Sequence, residues 1–108
     1  MNKLIIQTLA PLGIPVAYMN YSGKETKYIM FKVYKDEDVN YSDDENDSER
    51  YYITLSYWYH QSEDYSQIDT IKQLLKTAGF NYDGGQDLYN AENGVYGKNL
   101  DFIYTKYL

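Results

Sequence analysis

Apolar residues recur along the chain at two spacings, and the switches between those spacings mark out its elements. Leu4, Ile5 and Leu9 stand at helical spacing between Asn2 and Ala10, and Pro11 ends the run, so a short amphipathic helix is expected there. Leu12 to Tyr18 holds two breakers, Gly13 and Pro15, before Val16, Ala17 and Tyr18, a loop leading into a short edge strand. Tyr21-Ser22-Gly23-Lys24 reads as a turn. Lys27 to Lys35 then alternates, with Ile29, Phe31 and Val33 on one face and Tyr28, Met30, Lys32 and Tyr34 on the other.

The strongest strand pattern runs from Arg50 to His60. Tyr51, Ile53, Leu55, Tyr57 and Tyr59 share one face, and Tyr52, Thr54, Ser56, Trp58 and His60 share the other. Both faces favour β structure, so this strand belongs in the middle of a sheet. A second helix follows, with Asp64 and Gln67 spaced as a capping box and Ile68, Ile71, Leu74, Leu75 and Ala78 as its apolar stripe. Gly79 sits at the left-handed C-cap position, and Phe80 is placed to touch Leu75. Asp83-Gly84-Gly85 reads as a turn, Leu88 and Tyr89 open a strand, Asn93-Gly94 is a two-residue hairpin signal, and Val95 to Tyr107 returns. In that return Leu100, Phe102 and Tyr104 alternate with Asp101, Ile103 and Thr105. Helix, strands, helix and hairpin in this order predict an α+β fold. Its sheet would be antiparallel or mixed, of about four to five strands, with two α-helices packed on it and residues 1–108 as one domain.

Charge changes the picture in one place. The chain carries 16 acids against 10 bases, a formal charge of −6. Eight of the acids (Asp36, Glu37, Asp38, Asp43, Asp44, Glu45, Asp47 and Glu49) fall in one stretch without Lys or Arg. The remaining 94 residues hold 8 acids and 10 bases, a net of +2. The acidity therefore belongs to residues 36–49, read as a long mobile loop joining two strands, and does not describe the whole surface.

Candidate chemistry is sparse. The sequence has no cysteine, which excludes a disulfide framework, a thiolate nucleophile and a Cys-type zinc site. The only histidine, His60, has Ser62 and Asp64 nearby, but neighbours two and four residues away across a strand-to-helix turn rarely form a triad. Asp36-Glu37-Asp38-Val39-Asn40 begins like a calcium loop. Tyr41 then occupies the position that needs glycine, Asp47 the position that needs glutamate, and the flanks read as strands where helices are required. No glycine pattern has phosphate-binding spacing, and the bases are too scattered for a nucleic-acid surface. No apolar run is long enough to span a membrane, and Met-Asn-Lys-Leu-Ile-Ile lacks the features of a signal peptide. The expectation is a non-enzyme with no cofactor, no bound metal, no specific nucleic-acid partner and no membrane association.

Tyrosine supplies 15 residues, against 3 Phe and 1 Trp. Its apolar ring and polar tip suit a surface that is buried against another protein yet tolerated in water. Tyr28, Tyr34, Tyr52, Tyr57, Tyr59 and Tyr104 are expected on strand surfaces, where they either meet another protein or simply line a half-exposed sheet; a carbohydrate-binding face is a third reading with less behind it.

Several segments together carry a resemblance. They are Pro15-Val16-Ala17-Tyr18 with Tyr21-Ser22-Gly23; Tyr28-Ile29-Met30-Phe31 and the acidic stretch; and the Tyr-rich strand from Arg50. The helix ending Ala78-Gly79-Phe80 and Asp87-Leu88-Tyr89 through Gly94-Val95-Tyr96 to Phe102 continue it. Over nearly its whole length the chain resembles the small phage and prophage proteins of siphoviral tail modules known as tail terminator, tail-completion or minor tail proteins. Relatives often read Tyr-His-Lys where this chain has Tyr96-Gly97-Lys98, so no role for that histidine carries over. The resemblance implies a subunit that assembles with itself into a ring, commonly hexameric, capping the tail tube. Its partners would be the major tail tube protein and a head completion or connector protein. Its place would be the head–tail joint of the virion, with the host cytoplasm as the site of assembly. No catalytic residue is implied. Tyr28, Tyr34, Tyr52, Trp58 and Tyr104 are then expected in subunit contacts, on the sheet edge and outer face. The acidic residues 36–49 are expected to line the ring lumen, where negative charge lets DNA slide, or to touch the connector. The alternative is a small acidic phage-encoded module that inhibits a host nucleic-acid enzyme.

Overall fold

A computed structural model describes residues 1–39 and 48–107. The expected fold class is observed: a five-stranded mixed sheet with two α-helices. The first helix, α1, spans Asn2–Leu9 and passes through a 3-10 turn at Ala10–Leu12, where Gly13 (φ 68°) reverses the chain. The strands are β1 (Val16–Tyr18), β2 (Tyr28–Val39), β3 (Ser48–Tyr59), β4 (Asn81–Asn90) and β5 (Val95–Tyr107), with α2 at Gln67–Thr77 between β3 and β4. Their spatial order is β1-β2-β3-β5-β4; β1 runs parallel to β2 and every other pair is antiparallel. As the alternation on both of its faces predicts, β3 lies at the centre.

Both helices lie on one face of the sheet. Ile5 and Leu9 of α1 and Ile68, Ile71 and Leu75 of α2 bury against Ile29, Phe31, Ile53, Leu55, Leu100 and Phe102. Ala78 packs at the margin of this core. The end of α2 follows its sequence signal. The Phe80 N–H donates to the Leu75 carbonyl at 2.9 Å and the Gly79 N–H to the Lys76 carbonyl at 3.0 Å, with Gly79 at φ 100°. This is the Schellman arrangement.

Four local expectations are corrected. Asp36, Glu37, Asp38 and Glu49 are strand residues, because the β2–β3 ladder runs on to the Val39–Ser48 pair. The rest of the acidic stretch, with Asp43, Asp44, Glu45 and Asp47, lies outside the described residues. Asp64 does not cap α2; it sits in a 3-10 turn (Ser62–Ser66) and instead pairs with Lys27 at 3.3 Å. Asp83-Gly84-Gly85 is a bulge inside β4, where pairing shifts between Tyr82 and Gly85. A side chain at Gly85 would meet the Asn99 carbonyl oxygen at 2.2 Å, so only glycine allows that approach. Finally, the β4–β5 hairpin closes at the Asn90–Val95 pair, leaving four residues in the turn in place of two.

Candidate functional site

Among the described residues, the opposite face of the sheet carries no helix. Register places Tyr28, Met30 and Lys32 of β2, Tyr52, Thr54, Ser56 and Trp58 of β3, and Asn99, Asp101 and Ile103 of β5 on it. Tyr28 stands directly opposite Trp58, and Tyr21 stacks on Tyr28 with ring centroids 4.4 Å apart. Trp58 lies across Gly97, where an added Cβ would fall 2.7 Å from the indole. The indole Nε1–H is buried and has no acceptor among the described residues. Further along, a bulge puts Tyr34 and Lys35 side by side. Tyr34 contacts Tyr52 at 6.1 Å, and the Lys35 ammonium lies 5.1 Å from the Tyr52 ring centre. The Tyr52 hydroxyl donates to Glu37 at 2.9 Å, and that bond, followed by Lys35, lowers the Glu37 carboxyl below its usual range.

Four of the five expected contact residues thus share this face: Tyr28 with Trp58 toward one end, Tyr34 with Tyr52 toward the other. Tyr104 does not. It pairs with Tyr51 on the helix side and packs on Phe80 at 4.7 Å. Tyr57 and Tyr59 also face the helices and are 0% and 6% exposed. Parity carried this signal, because Tyr57 and Tyr59 alternate in step with Ile53 and Leu55, and Tyr104 with Leu100 and Phe102.

Between the two aromatic pairs the face is polar. Asn99 donates to the Thr54 hydroxyl at 2.7 Å and to the Leu55 carbonyl at 3.2 Å, while one Asp101 carboxylate oxygen is buried without a partner among the described residues. Burial first, then the Asp101 and Asp83 carboxylates, push the Tyr34 phenol up.

The acids of β2 and β3 collect at the far end of the sheet. Asp36, Asp38 and Glu49 flank Tyr51, whose hydroxyl donates to Glu49 at 2.5 Å. That bond raises the Tyr51 phenol, with burial and the two aspartates adding to it. The local potential is therefore negative. Among the described residues no group of three or more His, Asp or Glu side chains is arranged to hold a metal ion, and no helix is long and apolar enough to cross a membrane.

A feature missed in the sequence lies at the opposite end, on the helix side. Tyr59, His60, Ser62, Tyr65 and Tyr96 line an open cleft of about 590 Å³. Tyr96 stacks on Tyr59 at 6.0 Å, and Tyr65 meets Tyr59 edge-on at 6.4 Å. His60 contributes to the rim and is exposed.

No protein-family model matches the chain, and no curated protein matches it. Among solved structures, a protein whose name carries no functional description is similar in fold. Its TM-score is 0.61 at 11% identity, covering 100% of this chain and 96% of that one. At that identity the likeness speaks to the fold alone.

Proposed function

We propose that this chain is a tail terminator subunit, a structural protein that assembles into a ring, caps a phage tail tube and joins it to the head connector. The observation that carries the reading is the uncovered sheet face. A half-buried face bearing Tyr28, Met30, Tyr52, Trp58 and Ile103 is suited to being covered by protein. The shape agrees with this use. The molecule measures 52 × 26 × 23 Å, and its radius of gyration of 15.2 Å exceeds the ~13 Å of a compact chain this long. An elongated subunit offers neighbours long flanks.

The negative end suits the lumen. Asp36, Asp38 and Glu49 there would repel a DNA backbone and keep it from sticking as it passes. The reading is tested by polymerising a tail tube protein in the presence of this chain. Growth is expected to stop, with this protein at one tube end; tubes that lengthen unchanged and carry no bound protein would overturn the proposal.

A further inference from the structure

Three exposed tyrosines gather at one end of the molecule, on the helix side of the sheet. Tyr65, Tyr89 and Tyr96 are 50%, 60% and 47% exposed. Single exposed apolar groups are ordinary on a surface, whereas a cluster of them marks a contact. Tyr59 forms the floor beneath them and is only 6% exposed. Tyr96 lies beside Tyr59 at 6.0 Å with the two planes 26° apart, and Tyr89 continues from Tyr96 at 5.1 Å. Tyr65 meets Tyr59 edge-on, its plane turned by 70°. The result is a platform with one wall. The cleft it encloses, about 590 Å³, falls within the ~300–1,000 Å³ of small-ligand sites.

The polar groups choose the ligand. Tyr57, two residues earlier on the same face, has its hydroxyl bonded to the Asp64 carbonyl. The Tyr59 hydroxyl has no hydrogen-bond partner among the described residues, although that residue is more than nine-tenths buried. An unpaired phenol on the floor of a cleft calls for a ligand that brings a hydrogen bond to it. Ser62 and His60 add polar groups at the rim. The charge beside the cleft is balanced, because the Lys98 ammonium meets the Asp87 carboxylate at 3.2 Å. Both reach Tyr59: burial first and then Asp87 push its phenol up, and Lys98 opposes them. Such a pair selects neither an anion nor a cation. Asp87 stays 74% exposed, which leaves carboxylate lone pairs for a neutral donor.

The aromatic geometry narrows the class. A planar base needs a slot between parallel rings about 7 Å apart, two contacts of ~3.5 Å. Tyr59 and Tyr96 are nearly parallel but closer than that, and Tyr65 is turned away from both conditions, so these rings form no slot. A pyranose suits the shape. One face of C–H groups can lie on an aromatic ring while hydroxyls around its edge meet polar partners.

We propose that the Tyr59–Tyr65–Tyr96 cleft binds a neutral saccharide, with a pyranose on Tyr96 against the Tyr65 wall and its hydroxyls bonded to Tyr59 and Asp87. The site lies on the helix side, away from the uncovered sheet face, and stands independently of the tail terminator reading.

Titration with maltotriose, cellotriose and triacetylchitotriose, followed by the NMR signals of the tyrosine rings, tests it. At least one of these sugars is expected to bind one to one at millimolar concentration and to shift the Tyr59, Tyr65 and Tyr96 signals. Tyr96→Ala is expected to weaken that binding by at least about tenfold. Should Tyr96→Ala fail to fold, Tyr65→Ala, in the turn before α2, takes its place. Tyr59→Phe removes one hydroxyl and keeps the ring, so it should retain the wild-type circular dichroism and bind several-fold more weakly. Binding should be equal at low and high salt, as for an uncharged ligand, and adenosine should not compete. Failure of all the sugars to bind, binding unchanged by the substitutions, steep salt dependence, or displacement by adenosine would each overturn the proposal.

Discussion

Tyr57 is buried, and its hydroxyl donates to the Asp64 backbone carbonyl at 3.0 Å, tying the centre of the sheet to the turn before α2. Tyr57→Phe removes that bond and leaves the carbonyl short of a partner, a cost of about 1 kcal/mol readable as a lower urea midpoint. Burial, with Asp64 and Tyr59 nearby, also pushes the phenol well above its ordinary value. The unfolded chain ionises this group near about pH 10, while the folded chain still holds the proton. Its contribution is thus complete below that pH and is lost as pH rises through the folded value. Tyr34, Tyr51 and Tyr59 are shifted the same way. Alkaline titration of stability should fall less steeply for Tyr57→Phe than for the wild type; equal slopes would assign the shift elsewhere. At this scale the alternation of β3 was legible, and it placed Ile53 and Leu55 correctly. Tyrosine's dual character obscured its neighbours, since the same ring serves a core or an interface and composition alone does not choose.

At the level of elements, glycine placement can be checked directly. Gly79→Ala leaves ordinary packing, with the new Cβ 3.6 Å from the Tyr104 ring, so its cost is the left-handed backbone. That amounts to about 1 kcal/mol, visible as a lower melting temperature. The Schellman ending of α2 was readable because the motif is local, a glycine followed by a hydrophobic residue. The strand boundaries were not. Acids are poor strand formers, so Asp36–Asp38 read as loop, yet pairing supplies the missing favour: Glu37 stands opposite Arg50, and its carboxylate also meets Tyr52 and Lys35. Likewise Asp83-Gly84-Gly85 has the composition of a turn, and only the close approach of Asn99 identifies it as a bulge. Because the ladder continues to Val39 and Ser48, replacing residues 40–47 by Asn-Gly should leave the fold intact, with the melting temperature within a few degrees of wild type. Tails assembled with that variant should join heads poorly; normal joining would remove the acidic stretch from the proposed role.

For the whole molecule, the layout of one covered and one uncovered sheet face follows from having two helices and five strands, and the order of elements in the sequence foretold the class. What the sequence hid was sidedness: which edge carries β1, and which carries β4 with Lys72 and Lys76 packed over its Tyr82. Strand order decides this, and no local pattern encodes it. Trp58 is the only tryptophan and lies on the uncovered face, so it reports directly on what that face meets. Its acrylamide quenching should fall when tail tube or connector protein binds and stay unchanged when either is replaced by an unrelated protein. The claim on which the rest depends is that these subunits close into a ring, and native mass measurement tests it most directly. With tail tube protein present, the account predicts a discrete closed species at a multiple of the 12.7 kDa subunit, six copies in the commonest case. A strict monomer at every concentration, alone and with the tube protein, would contradict it.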